Sequence, residues 1–306
     1  MSLTKAGVRA LNLCAPAKIN LFLHVGEKRE DGFHALESLA VFVEAGDRLD
    51  FAPAERLEVK IGGPFARALS ADENNLVLRT ARALAHERTN LGASIAIEKN
   101  LPVAAGLGGG SADAGATLRA LNVLWGLELG EAELLRIAAT LGSDVPACLL
   151  SRPVWMEGRG EKLTKTPAMP QLAMVLVNPG VEVPTARVFE RLNARTGLGA
   201  MEPPPASIQS LWDVVAYLSD AENDLEAPAC EIAPEIEHVL ETLWDEPGCV
   251  AARMTGSGAT CFGLFENGRY SALPAAESIA HAHPSWWVRA TRIAGPDIGA
   301  PHWNGE

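Results

Sequence analysis

The sequence predicts an α+β protein of two domains, and three observations carry that prediction. Its 306 residues are twice the size of a modest domain. Short β-type apolar runs are interspersed with segments of helical periodicity. Composition and element pattern both change near residue 160, which sets expected domains at 1–160 and 161–306. With 48% apolar and 21% charged residues, and only 28 glycines and 20 prolines, the chain is globular, which excludes disorder and collagen-like repeats.

In chain order, residues 19–25, 39–43, 49–51 and 57–61 are short apolar runs between turn residues, the pattern of an antiparallel sheet. Helical spacing begins after Asn74-Asn75, where Leu76, Thr80, Ala83 and Leu84 share a face. Residues 93–98 read as a strand. Leu118, Leu121, Leu124 and Trp125 mark a second helix, and Leu134, Ile137, Ala138 and Leu141 a third that stops at Gly142. After a strand at 154–157 come Gly158 and Gly160, then a strand at 172–177, a helix at 185–195 and a proline-rich loop at 197–206. Helices at 211–218 and 236–244, strands at 249–254, 260–265 and 286–291, and a loose tail from about 295 complete the expectation.

Lysine and arginine number 26 against 38 acids, a net charge of −12 that argues against a nucleic-acid-coating protein. Ten of those acids and no Lys or Arg fall in residues 220–246, which read as a solvated second-domain face. The five cysteines, Cys14, Cys148, Cys230, Cys249 and Cys261, form no CxxC pair and suit a reducing compartment. Residues 1–10 lack the apolar run of a secretory leader, and no apolar stretch approaches the roughly 20 residues of a membrane span. A cytoplasmic protein with no membrane or nucleic-acid partner is expected; nothing in the sequence specifies an oligomeric state.

Residues 101–115, LPVAAGLGGGSADAG, are the most unusual segment. Gly106, Gly108, Gly109 and Gly110 precede a helix opened by Ser111, so free backbone N–H groups at a helix start can hold a phosphate without basic side chains. That device suits an acidic protein. The spacing fits neither GxxxxGK[ST] nor GxGxxG, because Ser111 stands where the latter needs glycine. By itself the cluster also reads as a tight connection without a ligand. A second loop, Thr255-Gly256-Ser257-Gly258, lies between two expected strands and alone reads equally as a hairpin with a bulge. Together the two loops suggest one cleft lined by backbone from both domains.

These residues resemble a family. Pro102-Val103-Ala104-Ala105-Gly106-Leu107-Gly108-Gly109-Gly110-Ser111 is similar to the central ATP motif of the GHMP kinases, the superfamily of galactokinase and the homoserine, mevalonate and phosphomevalonate kinases. The superfamily's other motifs match Ala15-Pro16-Ala17-Lys18-Ile19-Asn20-Leu21 and Met254-Thr255-Gly256-Ser257-Gly258-Ala259. Asp31-Gly32-Phe33-His34 and Leu141-Gly142-Ser143-Asp144-Val145-Pro146 resemble, within it, the 4-diphosphocytidyl-2-C-methyl-D-erythritol kinases of the non-mevalonate isoprenoid pathway. The resemblance spans residues 15 to about 265. It implies transfer of the γ-phosphoryl group of ATP, with Mg2+, to the 2-hydroxyl of the methylerythritol moiety of a cytidine-diphosphate substrate. The implied fold is an N-terminal domain like ribosomal protein S5 domain 2 and a ferredoxin-like C-terminal domain.

Residue by residue, the resemblance makes Asp144 the catalytic base and Lys18 its partner at the transferring phosphate. Phosphoryl transfer through a loose transition state needs chiefly alignment and charge stabilisation. Without the resemblance, Asp144 reads as a cap before Pro146 and Lys18 as a surface charge, although Lys18 sits in apolar sequence where an unpaired charge is costly. Pro102, Gly106, Leu107, Gly108, Gly109, Gly110, Ser111 and Ala112 are implied to bind ATP, with Ser111 touching phosphate or its magnesium; no other metal ligand is named. Ala112 replaces a frequent second serine, and Ala104-Ala105 replace frequent glycines. Asp113, in the first helical turn, reads as readily as a dipole partner.

Asn20, two residues from Lys18 on a strand, shares its face and is implied to contact substrate. Phe33 and His34 match the cytosine-recognition pair, a ring to stack and a histidine to hydrogen-bond the base edge, with Phe33 where tyrosine is common. Thr185 and Phe189 match positions near the cytidine, and Gly256, Ser257 and Gly258 complete the substrate set. Bland alternatives are a turn after Asp31-Gly32 and a core aromatic at Phe189. His24, His86, His238, His281 and His283 have no ligand spacing. Two other functions remain open: a GHMP kinase for a different alcohol, which has no use for Phe33-His34, or a silent nucleotide or sugar sensor, against which the presence of both Lys18 and Asp144 speaks.

Overall fold

The computed structural model describes residues 10–85, 91–194, 197–199 and 201–303. The leader expectation for residues 1–9, His86 and the end of the expected helix at Arg195 lie outside that set. Two long strands organise the first half: β1 (Leu11–Lys28) and β2 (His34–Pro53). β1 is buried without a break from Ala15 to Val25, because material covers both of its faces.

The expected strands at 39–43 and 49–51 are one strand, β2. The residues between them look like a turn, but Gly46 instead opposes Pro16 of β1, where a Cβ would stand 2.5 Å from the Ala15 carbonyl oxygen. β3 (Leu57–Gly62), α1 (Leu76–Ala85) and β4 (Ala93–Glu98) follow. β3 pairs with β4 in parallel, which corrects the expectation of a purely antiparallel sheet; the helix between them supplies the crossover that parallel neighbours require. Asn75 starts α1 by accepting from the Val77 N–H at 2.9 Å.

Next come α2 (Gly109–Leu124), α3 (Glu131–Leu141) and α4 (Val145–Leu150). α2 carries alanines and Gly115 on its buried faces, and α4 lies so close that a Cβ at Gly115 would sit 2.7 Å from the Cys148 backbone. β5 (Val154–Gly158) pairs with β2 and with β6 (Lys162–Lys165). The glycines near 160 therefore turn a hairpin, and the chain leaves the first sheet only after Lys165.

The second sheet contains β7 (Ala173–Asn178), β8 (Cys249–Met254), β9 (Cys261–Phe265) and β10 (Trp287–Arg292), all antiparallel, in the order β10-β7-β9-β8. Around it lie α5 (Thr185–Arg191), α6 (Leu211–Tyr217), α7 (Glu226–Ile232), α8 (Glu235–Asp245) and α9 (Arg269–Ala282). α7 and α9 carry Pro228 and Pro274, and α9 is punctuated by Gly268 at its start, which hides both in the sequence. α5 ends at Arg191, earlier than expected. The tail is not loose: β11 (His302–Trp303) pairs with β1, and the half-buried Arg119 donates from Nε to the Gly299 carbonyl at 2.7 Å. Trp303 packs against the first core, an anchor that the polar neighbouring residues conceal.

The sheets are joined face to face. Ile19, Leu21 and Val41 of the first meet Met174, Leu176 and Phe262 of the second in one buried cluster. Backbone reinforces the joint: Leu23 N–H donates to Glu222 O and Asp224 N–H to Leu23 O, each at 2.9 Å, and Arg253 reaches Leu21 O at 2.7 Å. Of the acids in 220–246, seven stand exposed on or beside α7 and α8, but Asp224 accepts from Val25 N–H and Glu226 from Met254 N–H, so these two are anchors rather than solvated charges. Burial raises the Glu226 carboxyl above its ordinary range. Among the described residues no helix is long and apolar enough to cross a membrane.

Candidate active site

The glycine-rich segment turns tightly at Ala104, Gly106 and Gly108, all with positive φ. Gly108 is the residue before α2 and offers no side-chain cap, so the first N–H groups of this 16-residue helix stay available. No heavy atom lies within 4 Å of where a Cβ on Gly110 would point. The result is a cavity of about 270 Å³ whose wall runs from Pro102 through Ser111 and is completed by Leu69, Leu76 and Lys99. Unpaired N–H groups and the positive helix end suit a phosphate chain; Leu69 and Leu76 offer apolar surface to a flat ring.

The two small-residue loops meet. A Cβ on Gly106 would stand 2.3 Å from Thr255 O, and one on Gly256 2.6 Å from Gly106 O, so only glycines permit this approach. Thr260 N–H donates to Ala105 O across the same contact at 3.2 Å.

Lys18 lies just past a register shift of β1 between Pro16 and Lys18, a bulge of the kind that re-aims a side chain beside a site. Its N–H, freed from the ladder, donates to Leu107 O at 3.0 Å and ties β1 to the glycine loop. Its ammonium, on a side chain only 6% exposed, sits 2.7 Å from Asp144 Oδ1. Asp144 precedes α4 yet makes no capping hydrogen bond to it. Its carboxylate is 38% exposed and reaches Lys18 instead.

Asp144, Ser111 and Ser143 line a larger cleft of about 880 Å³. Phe33, His34, Thr185 and Phe189 line it too. His34 and Phe189 stand with ring centroids 5.3 Å apart, which joins the first sheet to α5. His34 Nδ1 donates to Gly26 O at 2.9 Å, which fixes the tautomer and leaves Nε2 as an acceptor if the ring is neutral. Phe33 is 48% exposed, with the Arg159 guanidinium 5.1 Å above its ring. Thr185 and Ser257 share a hydroxyl hydrogen bond of 2.8 Å.

The structure thus gathers Asp144, Ser111, Phe33, His34, Thr185 and Phe189 around one cleft, with Ser111 lining both cavities; Lys18 joins it through Asp144 and Ser257 through Thr185. Asn20 shares the face of Lys18; its Nδ2 donates to Ser38 Oγ at 2.7 Å, and its buried Oδ1 has no partner among the described residues. Gly256 and Gly258 pack on Gly106 rather than in the cleft, and Leu107 and Ala112 are buried with their side chains in the core. Lys28 and Arg159 line the cleft although the sequence does not mark them.

Beneath the glycine loop lies a charge cluster that the sequence also leaves unmarked. Lys99 Nζ donates to Asp47 Oδ2 at 2.5 Å and to Asp113 Oδ2 at 2.6 Å, and all three side chains are buried. Asp113 is therefore an ion-pair partner rather than only a favourable charge at a helix start. Burial pushes its carboxyl up to about 7 against the pull of Lys99. Burial disfavours the Lys99 charge, but Asp113 and then Asp47 hold its ammonium above the ordinary range.

Residues 75–152 match the family profile "GHMP kinases N terminal domain" and residues 215–287 match "GHMP kinases C terminal". The chain is 48% identical over 284 residues to 4-diphosphocytidyl-2-C-methyl-D-erythritol kinase of Parvibaculum lavamentivorans, covering 92% of this chain and 97% of the relative. It is 49% identical to the protein of the same name from Cereibacter sphaeroides, covering 92% and 98%. A solved 4-(cytidine 5'-diphospho)-2C-methyl-D-erythritol kinase superposes with a TM-score of 0.71 at 34% identity, covering 93% of this chain and 100% of that one. Homoserine kinase from Cytophaga hutchinsonii, at 19% identity and TM-score 0.68 over 99% of each chain, shares the fold. A two-domain fold with a glycine-rich helix start, and identity near one half along almost its whole length, place this chain in the GHMP kinases and, within them, in the 4-diphosphocytidyl-2-C-methyl-D-erythritol kinases.

Proposed function

We propose that the chain transfers the γ-phosphoryl group of ATP to the 2-hydroxyl of 4-diphosphocytidyl-2-C-methyl-D-erythritol. The observation that carries this reading is the Lys18–Asp144 pair, 2.7 Å apart, at the meeting point of a phosphate-type cavity and a larger cleft lined by aromatic rings.

The backbone N–H groups from Gly108 to Ser111 receive the phosphate chain of ATP. Ser111 faces both cavities, and its hydroxyl suits a magnesium ion held mainly by phosphate oxygens, as that ion prefers. When bound there, such an ion would neutralise charge on the phosphates. In the same cleft, Phe33 and Phe189 offer faces to the cytosine, and His34 Nε2 accepts from its exocyclic amine. Arg159 and Lys28 line the same cleft and offer cationic partners to the substrate diphosphate.

Asp144 orients that hydroxyl and accepts its proton, while the Lys18 ammonium steadies the carboxylate and the charge of the transferring group. The orphaned Asn20 Oδ1 accepts a hydrogen bond from the substrate on the same face. The chemistry depends on alignment of nucleotide and acceptor, and Ser111, which lines both cavities, marks where the two sites adjoin.

A substrate panel tests the proposal. With ATP and magnesium, ADP is expected to form with the cytidine-diphosphate substrate and not with homoserine or mevalonate. Turnover with either of those but not with the cytidine compound overturns the acceptor. Binding of the cytidine compound without turnover of any substrate supports the silent sensor instead.

A further inference from the structure

Lys99, Asp47 and Asp113 come from three places: the residue just after β4, the middle of β2 and the second turn of α2. The Lys99 ammonium bridges both carboxylates. The other oxygen of Asp47, Oδ1, accepts from the N–H groups of Asn100 and Leu101 at 2.7 and 2.9 Å, the two residues that lead into the glycine loop. The cluster therefore holds the loop at its entrance through Asp47 and at its exit helix through Asp113. It also supports the middle: a Cβ on Gly109 would stand 3.3 Å from Lys99 Nζ and 3.6 Å from Asp47 Oδ2. The backbone of Lys99 is itself fixed, donating to Gly62 O at 2.8 Å and accepting from Phe65 at 3.2 Å.

Three buried charges are a costly way to fill space, and apolar residues of similar volume serve stability at least as well. What they add here is direction at the loop whose N–H groups receive the nucleotide. We propose that Lys99, Asp47 and Asp113 are positioning residues for ATP: the ammonium clamps loop entrance to helix start and so aims the N–H groups of Gly108 to Ser111. This rests on the reading of that loop as the nucleotide site. Asp113 Oδ1, buried without a partner among the described residues, leaves the cluster able to accept one further hydrogen bond or proton without moving the clamp.

The test compares the two substrates of one enzyme. Asp113→Asn keeps the shape of the cluster, and it is expected to raise KM for ATP about tenfold while kcat and KM for the cytidine-diphosphate substrate stay within about twofold of wild type. Lys99→Met is expected to raise KM for ATP further and in the same one-sided way. A purely structural cluster changes the folded fraction and leaves both KM values alone; unchanged KM values, or an equal rise in both, overturn the proposal. If neither variant folds, the wild-type chain decides. Its Lys99 Nζ nitrogen resonance is expected to shift on adding a non-hydrolysable ATP analogue and to stay put on adding cytidine diphosphate; no shift with a bound analogue overturns the cluster's role alone. A wild-type chain that fails to bind the analogue overturns the nucleotide reading and the proposal with it.

Discussion

Asp144 shows how one residue is claimed by two physical roles. Its place before α4 and Pro146 suits a cap, yet its carboxylate leaves the helix uncapped and pairs with Lys18. Asp144→Ala is therefore expected to cost little stability and to lower kcat by roughly a hundred- to ten-thousand-fold, with the Kd for ATP nearly unchanged; steady-state kinetics and nucleotide titration check both halves. Phe33→Ala removes an exposed ring and is expected to raise KM for the cytidine substrate about tenfold, with KM for ATP unmoved. Lys18, Asp144, Phe33 and His34 were legible in the sequence because each sits inside a run whose order the fold family shares. Lys99 and Asp47 were not, because 52 positions separate them and only the pairing of β2 with β4 brings them together. Arg159 was hidden in the same way, in a hairpin turn that the glycines on either side made look like a boundary.

Elements were most legible where apolar period and punctuation agreed. The strands at 93–98 and 249–254 fall where the sequence puts them, and α1 starts directly after Asn75. The parallel pairing of β3 was not legible, since strand pattern does not encode a neighbour's direction. α2 reads as a helix from its leucines, but its depth comes from small residues. Gly115→Ala places a methyl group against the α4 backbone, and it is expected to lower stability by about 1–3 kcal/mol in urea unfolding. α6 is begun by a reciprocal cap in which Ser210 Oγ accepts from Asp213 N–H while Asp213 accepts from Ser210. Ser210→Ala is expected to cost about 1 kcal/mol. The Ser210 hydroxyl first, then the N–H groups of Gln209 and Ser210, hold the Asp213 carboxyl below its ordinary 3.8. Because its folded value is depressed, the ionised form is the stabilising one; its contribution is complete above 3.8 and is lost as pH falls through the folded value. An acid titration of α6 helicity is expected to show a smaller step in Ser210→Ala, in which the two N–H groups remain.

Across the whole molecule, the C-terminal segment is tied to the site from a distance. Arg119 gathers the Cys148 and Leu149 carbonyls, the Ser151 hydroxyl and Gly299 O, which ties the tail to α4 and hence to the helix that Asp144 precedes. Burial lowers its guanidinium to about 10, so it stays charged at neutral pH and needs every acceptor. Deleting residues 299–306 is expected to cost about 1–3 kcal/mol, seen as a lower urea midpoint. The two-sheet plan was legible, while the return of the tail to β1 was not, since two residues of strand carry no periodic signal. The acid-rich stretch from 220 to 246 has a further consequence. Both substrates are polyanions and the protein carries −12, so approach is a matter of crossing a repulsive field before the backbone donors can act. Screening shortens that field to about 10 Å at 0.1 M ionic strength. The association rate of ATP is therefore expected to climb as salt is added from the dilute limit, the reverse of the behaviour of proteins that draw nucleotides in with a basic surface.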